Sequence, residues 1–265
     1  MTDIPVVILC GGMGMRLKEE TEFRPKPLVE IGDRPILWHI MQSYAADGFE
    51  RFVLCLGFRG DAIKNYFVDY HLTTGDIEVT LGGKPQVRVL GNDLVENWRI
   101  TLADTGLNTM TGGRIKRIQK YIDTDYFMLT YGDAVSDVDI AELCDFHRRH
   151  GRIGTVTGVR PPSRFGELEV DGGRVTCFAE KPVQSGLING GFFVFDQRIF
   201  DYVSVQENCI FEREPLERLA SDGELMVYQH DGFWQCMDTM RDVMLLRALE
   251  QTGGRPWLRK KNVAR

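Results

Sequence analysis

A stretch near the start of the chain, LCGGMGMR (residues 9–16), combines glycines with an arginine, and Lys26 follows between two prolines. Gly11, Gly12 and Gly14 have no Cβ, so their main-chain N–H groups can approach a ligand closely. Arg16 can hydrogen-bond and neutralise a phosphate oxygen, and Lys26 can contact one as a point charge from a stiff segment. The pattern therefore predicts a phosphate-binding loop.

The spacing within this loop excludes two common phosphate-binding motifs. It lacks the G-K-[S/T] of a P-loop, and it does not match the G-x-G-x-x-G fingerprint of dinucleotide-binding folds. A tight turn between a strand and a helix, with the two cations in solvent, explains the glycines alone equally well. The pattern favours phosphate but does not identify the molecule that carries it.

Apolar runs and helical patterns alternate around this loop. Strands are expected at 6–10, 52–56, 126–130 and 153–159, and helices at 36–48, 61–69, 113–121 and 139–150. This β-α-β-α order is typical of a mainly parallel sheet that is covered by helices. After about residue 160 the strands shorten and the turns become richer in glycine, with helices expected near 213–221 and 239–252. We therefore predict one Rossmann-like α/β domain over 1–265, whose second half (about 161–265) is mixed and holds a substrate.

Composition limits the partners of such a domain. The 265 residues carry a net charge of -6, from 38 acidic and 32 basic side chains, which argues against a nucleic-acid or membrane-surface binder. Apolar runs such as 4–10 are too short to span a bilayer, and the start MTDIP lacks the features of a leader. We expect a cytoplasmic protein. Its six cysteines show no C-x-x-C pair and no metal-ligand spacing, which favours isolated reduced thiols.

Several motifs, taken in order, resemble one enzyme family. G-G-x-G-x-R-L followed by K-P is similar to the signature of sugar-nucleotide pyrophosphorylases, the nucleotidyltransferases that make nucleoside-diphosphate sugars. Within them, the chain resembles the glucose-1-phosphate cytidylyltransferases through PKPLVEIGDRPILWHIM (25–41), DTGLNTMTGGRIKRI (104–118), TYGDAVSDVDI (130–140), FGELEV (165–170), FAEKP (178–182), INGGFFVF (188–195) and GFWQCMDTMRD (232–242). The resemblance covers nearly the whole chain. It implies a GT-A-like nucleotidyltransferase fold whose nucleotide-binding half is about 1–160.

The resemblance implies nucleotide-binding roles for two segments and a short turn. The residues are Leu9, Cys10, Gly11, Gly12, Met13, Gly14, Met15 and Arg16 around the triphosphate, Lys26 at the reacting phosphate, Gly132, and Thr109, Thr111, Gly112, Gly113 and Arg114 at the start of a helix. A plain helix cap with surface basic residues is the alternative for 109–114.

The resemblance also implies catalytic roles for Arg16, Lys26 and Asp133. Asp133 follows strand 126–130, where ligands bind in open α/β sheets, and Asp238 lies in an aromatic-rich turn. Two carboxylates brought together with substrate phosphates suit Mg²⁺, which prefers carboxylates, phosphate oxygens and water. Either aspartate alone would more often be a cap or turn residue.

A second set of residues is implied for the sugar phosphate. Glu180 can accept hydrogen bonds from sugar hydroxyls and Lys181 can meet the phosphate, while Asn189, Gly190 and Trp234 would complete the pocket. A solvated strand end followed by a β-turn is the alternative.

The implied substrates are CTP and a sugar 1-phosphate, which react by direct displacement with release of pyrophosphate. A phosphate monoester is largely dianionic near neutral pH, since its second pKa is about 6. No general base is needed, so the five histidines have no assigned role. Oligomers are common in this family, and we expect a homo-oligomer.

Two positions depart from the family pattern. Met15 stands where a threonine is usual, and Ala134 stands where the usual sequence is G-D-G. Met15 removes a hydroxyl donor, and Ala134 matters if that backbone needs a positive φ. These changes keep two alternatives open: a pyrophosphorylase of the same family that uses UTP, dTTP or another sugar phosphate, and a weakly catalytic nucleotide-sugar-binding regulatory protein.

Overall fold

The computed structural model describes residues 3–84, 86–91, 96–161, 167–179 and 186–258. The strands in chain order are β1 Val6–Leu9, β2 Glu30–Ile31, β3 Arg34–Pro35, β4 Arg51–Leu56, β5 Asp76–Thr80, β6 Gln86–Leu90, β7 Arg99–Asp104, β8 Tyr126–Tyr131, β9 Ala134–Ser136, β10 Gly154–Val159, β11 Glu167–Asp171, β12 Arg174–Ala179, β13 Ile188–Asp196, β14 Leu225–His230 and β15 Trp234–Cys236. The helices are α1 Lys18–Thr21, α2 Ile36–Ala46, α3 Gly60–Val68, α4 Tyr70–Thr73, α5 Thr111–Arg117, α6 Ile140–His150, α7 Glu214–Ser221 and α8 Met240–Gln251. Short 3-10 turns lie at Met15–Leu17, Lys26–Leu28, Gln119–Tyr121 and Gln197–Asp201.

The centre of the described chain is a seven-stranded sheet in the order β14-β10-β13-β8-β1-β4-β7. Strands β8, β1, β4 and β7 run parallel to one another, and β14 is parallel to β10. Strand β13 is antiparallel to both of its neighbours, β8 and β10. The predicted mixed, mainly parallel sheet is therefore confirmed, and strands from both halves of the sequence build it.

Alternate side chains of the central strands pack on opposite faces of the sheet. On one face, Val6, Ile8 and Phe52 are buried against α2, α6 and α8. On the other, Val7 and Val53 are buried with residues from α5 and α7. A strand covered on both faces is apolar along its whole length, as VVIL is in β1. Every described helix is too short or too polar to reach across a bilayer.

The carboxyl ends of β1, β4 and β8 lie side by side. Leu9 pairs with Cys55 on one side and with Tyr131 on the other. From β1 the chain proceeds outwards to β4 and β7, and then returns to the other side of β1 as β8. Open α/β sheets form their binding crevice at such a reversal of strand order. The glycine loop after β1 and the turn after β8 therefore meet at one place.

The predicted helices agree with the structure except at 113–121. There α5 begins two residues earlier, at Thr111, and ends at Arg117, before a separate 3-10 turn at Gln119–Tyr121. Two glycines inside the first turn are poor helix formers. They are required because a Cβ at Gly112 or Gly113 would collide with Cys209 or with the Gln206 carbonyl. This tertiary contact is invisible in the local sequence.

Two histidines near the end of α6, His147 and His150, make the stability of the folded state depend on pH. Nδ1 of His147 and Nε2 of His150 lie 2.9 and 2.7 Å from the Thr155 hydroxyl. Burial, together with the neighbouring His150, lowers the pKa of His147 to about 4. Below the ordinary histidine pKa of about 6.5, the unfolded chain binds a proton that the folded chain does not, so the unfolded state gains stability.

We expect the melting temperature to fall as the pH is lowered from about 6.5 to about 4, and His147→Gln to reduce that fall. The measurement is thermal unfolding across this pH range. His71→Gln, at an exposed position, is the control and should keep the wild-type slope. An unchanged slope in His147→Gln would contradict the prediction.

Candidate active site

The glycine loop that follows β1 contains one residue, Gly14, with a left-handed backbone conformation. The N–H of Cys10 donates to the Cys55 carbonyl at 3.0 Å, which fixes where the loop begins. Gly14 has a φ of 62°, a conformation that costs glycine little. The Thr21 hydroxyl donates to the Gly14 carbonyl at 3.0 Å, so the turn at Met15–Leu17 is tied to α1. Arg16 extends from this turn.

Arg114 connects the loops that follow β1, β4 and β7. Its buried guanidinium donates to the carbonyls of Leu56, Gly106, Gly11 and Leu107, at 2.8 to 3.2 Å, and to the Thr105 hydroxyl at 2.8 Å. A Cβ at Gly11 or at Gly57 would overlap this guanidinium. Glycine is therefore needed at both positions, because Arg114 passes between them.

A short two-stranded sheet brings Asp133 and Asp238 together. In it, β9 pairs with β15 so that Ala134 lies opposite Cys236. The Met237 N–H then donates to the Asp133 carbonyl at 2.8 Å. These contacts place the two aspartates beside each other at the carboxyl end of β8.

The start of α8 fixes Asp238 further. Thr239 and Asp242 form a capping box at that helix. The carboxylate of Asp242 also accepts the N–H of Asp238 at 3.1 Å. The backbone of the second aspartate is thus held by the helix that follows it.

Lys26 lies between the two aspartates. Its Nζ is 2.5 Å from Oδ2 of Asp133 and 2.7 Å from Oδ1 of Asp238, and Arg16 contacts Oδ2 of Asp238 at 2.8 Å. Burial alone would lower the pKa of Lys26, but the charge of Asp133 and hydrogen bonds to both carboxylates outweigh it and raise that pKa. Lys26 therefore keeps its charge at neutral pH. We call Arg16, Lys26, Asp133 and Asp238 the charged cluster.

Two cavities meet at the charged cluster. The first has a volume of about 390 Å³ and is lined by Leu9, Cys10, Gly11, Gly12, Gly14, Met15, Arg16, Leu17, Lys26, Pro27, Thr109, Met110, Thr111, Arg114, Tyr131, Gly132, Asp133 and Asp238. The second, of about 340 Å³, is lined by Arg16, Tyr131, Asp133, Ala134, Asn189, Gly190, Glu212, Trp234, Cys236 and Asp238. They share Arg16, Tyr131, Asp133 and Asp238. Two ligands could thus bind with the charged cluster between them.

Residues 5–244 match the Nucleotidyl transferase family. The chain belongs to this family. It is 47% identical over 253 residues to the glucose-1-phosphate cytidylyltransferase of Salmonella typhi, a match that covers 95% of this chain and 97% of that protein. It is 31% identical over 252 residues to a mannose-1-phosphate guanyltransferase of Aspergillus oryzae, covering 90% of this chain and 62% of that protein. A crystal structure of HddC from Yersinia pseudotuberculosis shares the fold, with a TM-score of 0.67, 22% identity, and coverage of 92% and 98%.

Most of the residues that were predicted to bind the nucleotide line the first cavity of this nucleotidyltransferase. Met13 does not belong to that lining, and neither do Gly112 and Gly113, whose N–H groups both point to the Cys209 carbonyl. Arg114 contributes to the lining, although both terminal nitrogens of its guanidinium donate to protein oxygens. A direct contact between these residues and a nucleotide stays a prediction.

The predicted sugar-phosphate residues fall into two groups. Asn189, Gly190 and Trp234 line the second cavity, and Nε1 of Trp234 donates to the Gly190 carbonyl at 2.7 Å. Glu180 and Lys181 lie outside the described residues.

Among the cavity residues that the sequence did not predict, two have strongly polar side chains, Tyr131 and Glu212. Tyr131 lines both cavities, and its position at the carboxyl end of β8 was a usable signal. Glu212 lines the second cavity. It gave no signal, because a charged residue just before α7 is typical of a solvated helix start.

The departure at Ala134 costs no backbone strain. Ala134 is buried in β9, and among the described residues only Arg59 combines a side chain with a positive φ. Met15 does line the first cavity, with 67% of its surface exposed.

The charged cluster also suits a divalent cation. The described residues contain no group of three or more histidine, cysteine or acidic side chains that could hold a metal ion. However, the Lys26 ammonium contacts both carboxylates at once, so one cation can meet Asp133 and Asp238 together. Mg²⁺ completes its coordination with substrate phosphates and water, so two protein carboxylates are enough.

We expect Gly11→Ala to lower the free energy of unfolding by about 1–3 kcal/mol, the usual cost of overpacking, because the added Cβ overlaps Arg114. Gly12→Ala is the matched control. No atom lies within 4 Å of its added Cβ, so we expect a change within about 0.5 kcal/mol. Urea unfolding of both variants provides the comparison, and equal stabilities would contradict the packing argument.

Proposed function

We propose that this protein transfers the cytidylyl group of CTP to α-D-glucose 1-phosphate, forming CDP-glucose and pyrophosphate. The observation that carries the proposal is the meeting of two cavities at the charged cluster. CTP occupies the first cavity and the sugar phosphate the second, so the two phosphates meet between Arg16 and Lys26. The choice of CTP and glucose rests on the 47% identity to the enzyme from Salmonella typhi.

The proposed reaction is a direct displacement. A phosphate oxygen of the sugar phosphate forms a bond to the α-phosphorus of CTP, while the bond from that phosphorus to the bridging oxygen of the β-phosphate breaks. The oxygen leaves with pyrophosphate and takes the electron pair. The attacking group is already a dianion near neutral pH, because the second pKa of a phosphate monoester is about 6. Catalysis therefore requires alignment and neutralisation of charge.

The side chains of the charged cluster have separate roles in this reaction. Lys26, held on a buried stem between two prolines, donates to an oxygen of the reacting phosphate and neutralises its developing charge. Arg16, which is far more exposed and lines both cavities, pairs with a phosphate. Asp133 and Asp238 would hold Mg²⁺, which when bound neutralises and orients the substrate phosphates. Glu180, Lys181, Asn189, Gly190 and Trp234 bind the sugar phosphate.

We also propose a cytoplasmic homo-oligomer. The hairpin of β11 and β12 supports oligomerisation, because it exposes a group of apolar side chains: Leu168, Val170, Val175 and Phe178. Exposed apolar groups of this kind often mark contact sites between proteins.

The test of the proposed function is pyrophosphate release from CTP, UTP, dTTP, ATP and GTP, each combined with several hexose 1-phosphates. We expect CTP with glucose 1-phosphate to give the highest kcat/KM. Equal values for CTP and UTP would favour a general pyrophosphorylase. Binding of CDP-glucose without turnover of any pair would favour a regulatory protein.

We expect Lys26→Ala to reduce kcat by about 100-fold or more while KM for CTP changes little, because this charge acts mainly in the transition state. Lys18→Ala removes a neighbouring exposed lysine outside both cavities and should keep wild-type kcat. The measurement is steady-state kinetics of the two variants, with kcat and KM for CTP determined for each. A raised KM with unchanged kcat would place Lys26 away from the reacting phosphate.

We expect activity to require a divalent cation, and Asp133→Asn and Asp238→Asn each to lose almost all of it, because each removes one anionic ligand. The measurement is activity against Mg²⁺ concentration, together with Mn²⁺ binding to the protein in the presence of CTP. Asp145→Asn, at an exposed site on α6, is the control. Full turnover and unchanged Mn²⁺ binding in both variants would refute the assignment.

A further inference from the structure

Glu212 stands at the edge of the second cavity without a role in the proposed reaction. It follows the buried Phe211 and precedes α7, and its exposed side chain lines the cavity with Asn189 and Trp234. Glu212 thus lines the same cavity as three residues that were predicted to bind the sugar phosphate, Asn189, Gly190 and Trp234.

Two hydroxyl groups hold the Glu212 carboxylate in one orientation. The Thr111 hydroxyl donates to Oε2 at 2.7 Å, and the Tyr131 hydroxyl donates to Oε1 at 2.7 Å. The Thr111 hydroxyl is itself fixed, since it accepts the N–H of Phe211 at 2.9 Å. An exposed glutamate would normally move among several rotamers, so these two bonds preorganise its carboxylate.

Tyr131 is fixed in turn by β13. Nδ2 of Asn189 donates to the Tyr131 hydroxyl at 3.3 Å, and Oδ1 of the same side chain accepts the N–H of Gly191 at 2.8 Å. A Cβ at Gly191 would collide with the ring of Tyr131. Burial and the charge of Glu212 raise the pKa of Tyr131, so its hydroxyl keeps the proton that it donates.

The carboxylate retains acceptor capacity toward the cavity. A carboxylate offers about four acceptor positions. In the described chain, Thr111 and Tyr131 use one position on each oxygen. A group that binds here must therefore be a hydrogen-bond donor.

The charges that line the second cavity decide which end of the ligand meets Glu212. Arg16 lies in the shared lining and attracts phosphate, and the aspartates beside it, Asp133 and Asp238, are paired with Lys26. Glu212 lies outside the charged cluster and repels phosphate. The phosphate therefore binds toward Arg16, and an uncharged donor must face Glu212. The hydroxyl groups of a hexose are such donors.

We infer that Glu212 accepts a hydrogen bond from one hydroxyl group of the sugar and so selects among sugar phosphates. The inference rests on the proposed function, because it takes the second cavity as the sugar-phosphate subsite. Thr111 and Tyr131 are positioning residues that hold the carboxylate for this contact. A site built to bind a hydroxyl discriminates strongly against an analogue that lacks it.

The test compares wild type with Glu212→Gln at saturating CTP, using glucose 1-phosphate and its 2-, 3-, 4- and 6-deoxy analogues. We expect kcat/KM for glucose 1-phosphate to fall about tenfold to hundredfold, the cost of losing a hydrogen bond to a charged group. KM for CTP should stay unchanged. For the one analogue that lacks the recognised hydroxyl, the variant and wild type should have the same kcat/KM, since the contact is already absent.

Two further variants provide a control and a test of the positioning residues. Glu214→Gln changes a nearby exposed glutamate that lies outside the second cavity and pairs with Arg218, and it should behave as wild type. Tyr131→Phe keeps the ring but frees one oxygen of Glu212. We expect a smaller loss of kcat/KM with the same dependence on the deoxy position. Thermal melting confirms that each variant is folded.

Several results would overturn the inference. Wild-type kinetics in Glu212→Gln would show that the carboxylate does not contact the sugar. An equal loss for all the sugar phosphates, or a matching rise in KM for CTP, would assign Glu212 a structural role only. Failure of the proposed function is distinguishable, because wild type itself would then release no pyrophosphate from CTP with any sugar phosphate. That outcome would also remove the inference.

Discussion

The structure of the site depends on one interaction, the contact of the Lys26 ammonium with the carboxylates of Asp133 and Asp238. Two negative groups this close repel each other unless a cation lies between them. Lys26 supplies that cation from a buried stem, so the protein can keep both aspartates in place before any substrate arrives. In the proposed reaction, substrate phosphates and a divalent ion would offer each partner of the charged cluster an alternative contact. Until substrates bind, the ion pairs of Lys26 with Asp133 and Asp238 neutralise these charges.

Arg114 holds the loops around the charged cluster in place through its hydrogen bonds. Its guanidinium joins the loops after three adjacent parallel strands, and Gly11 leaves the space that it needs. The glycine loop has two functions as a result. Gly14 supplies a left-handed turn toward Arg16, while Gly11 admits a side chain from α5. A left-handed backbone conformation and close packing therefore occur within a few residues of each other.

The sequence predicted the parts of the protein that follow from local patterns. Apolar runs and helical periodicity identified the central strands and most helices, and motif order brought Arg16, Lys26, Asp133 and Asp238 into one hypothesis. The sequence did not predict how Asp238 reaches Asp133, because β9 and β15 are only three residues long and pair across a long interval. It also did not show where the donors of Arg114 point. Glu212 escaped notice because only the folded chain brings it to Tyr131 and Thr111.

Lys26 and Asp238 are 212 residues apart in sequence, and this separation determines when the centre can form. Contacts between distant parts of a chain are made late and slowly in folding, since the entropy of closing a long loop opposes them. A chain still being synthesised can complete β1, β4 and β8 and still carry Asp133 without its partner. In the proposed reaction, the ability to bind phosphates and a metal would therefore arise only when the segment around β15 and α8 docks, and an incomplete chain would not consume nucleotide.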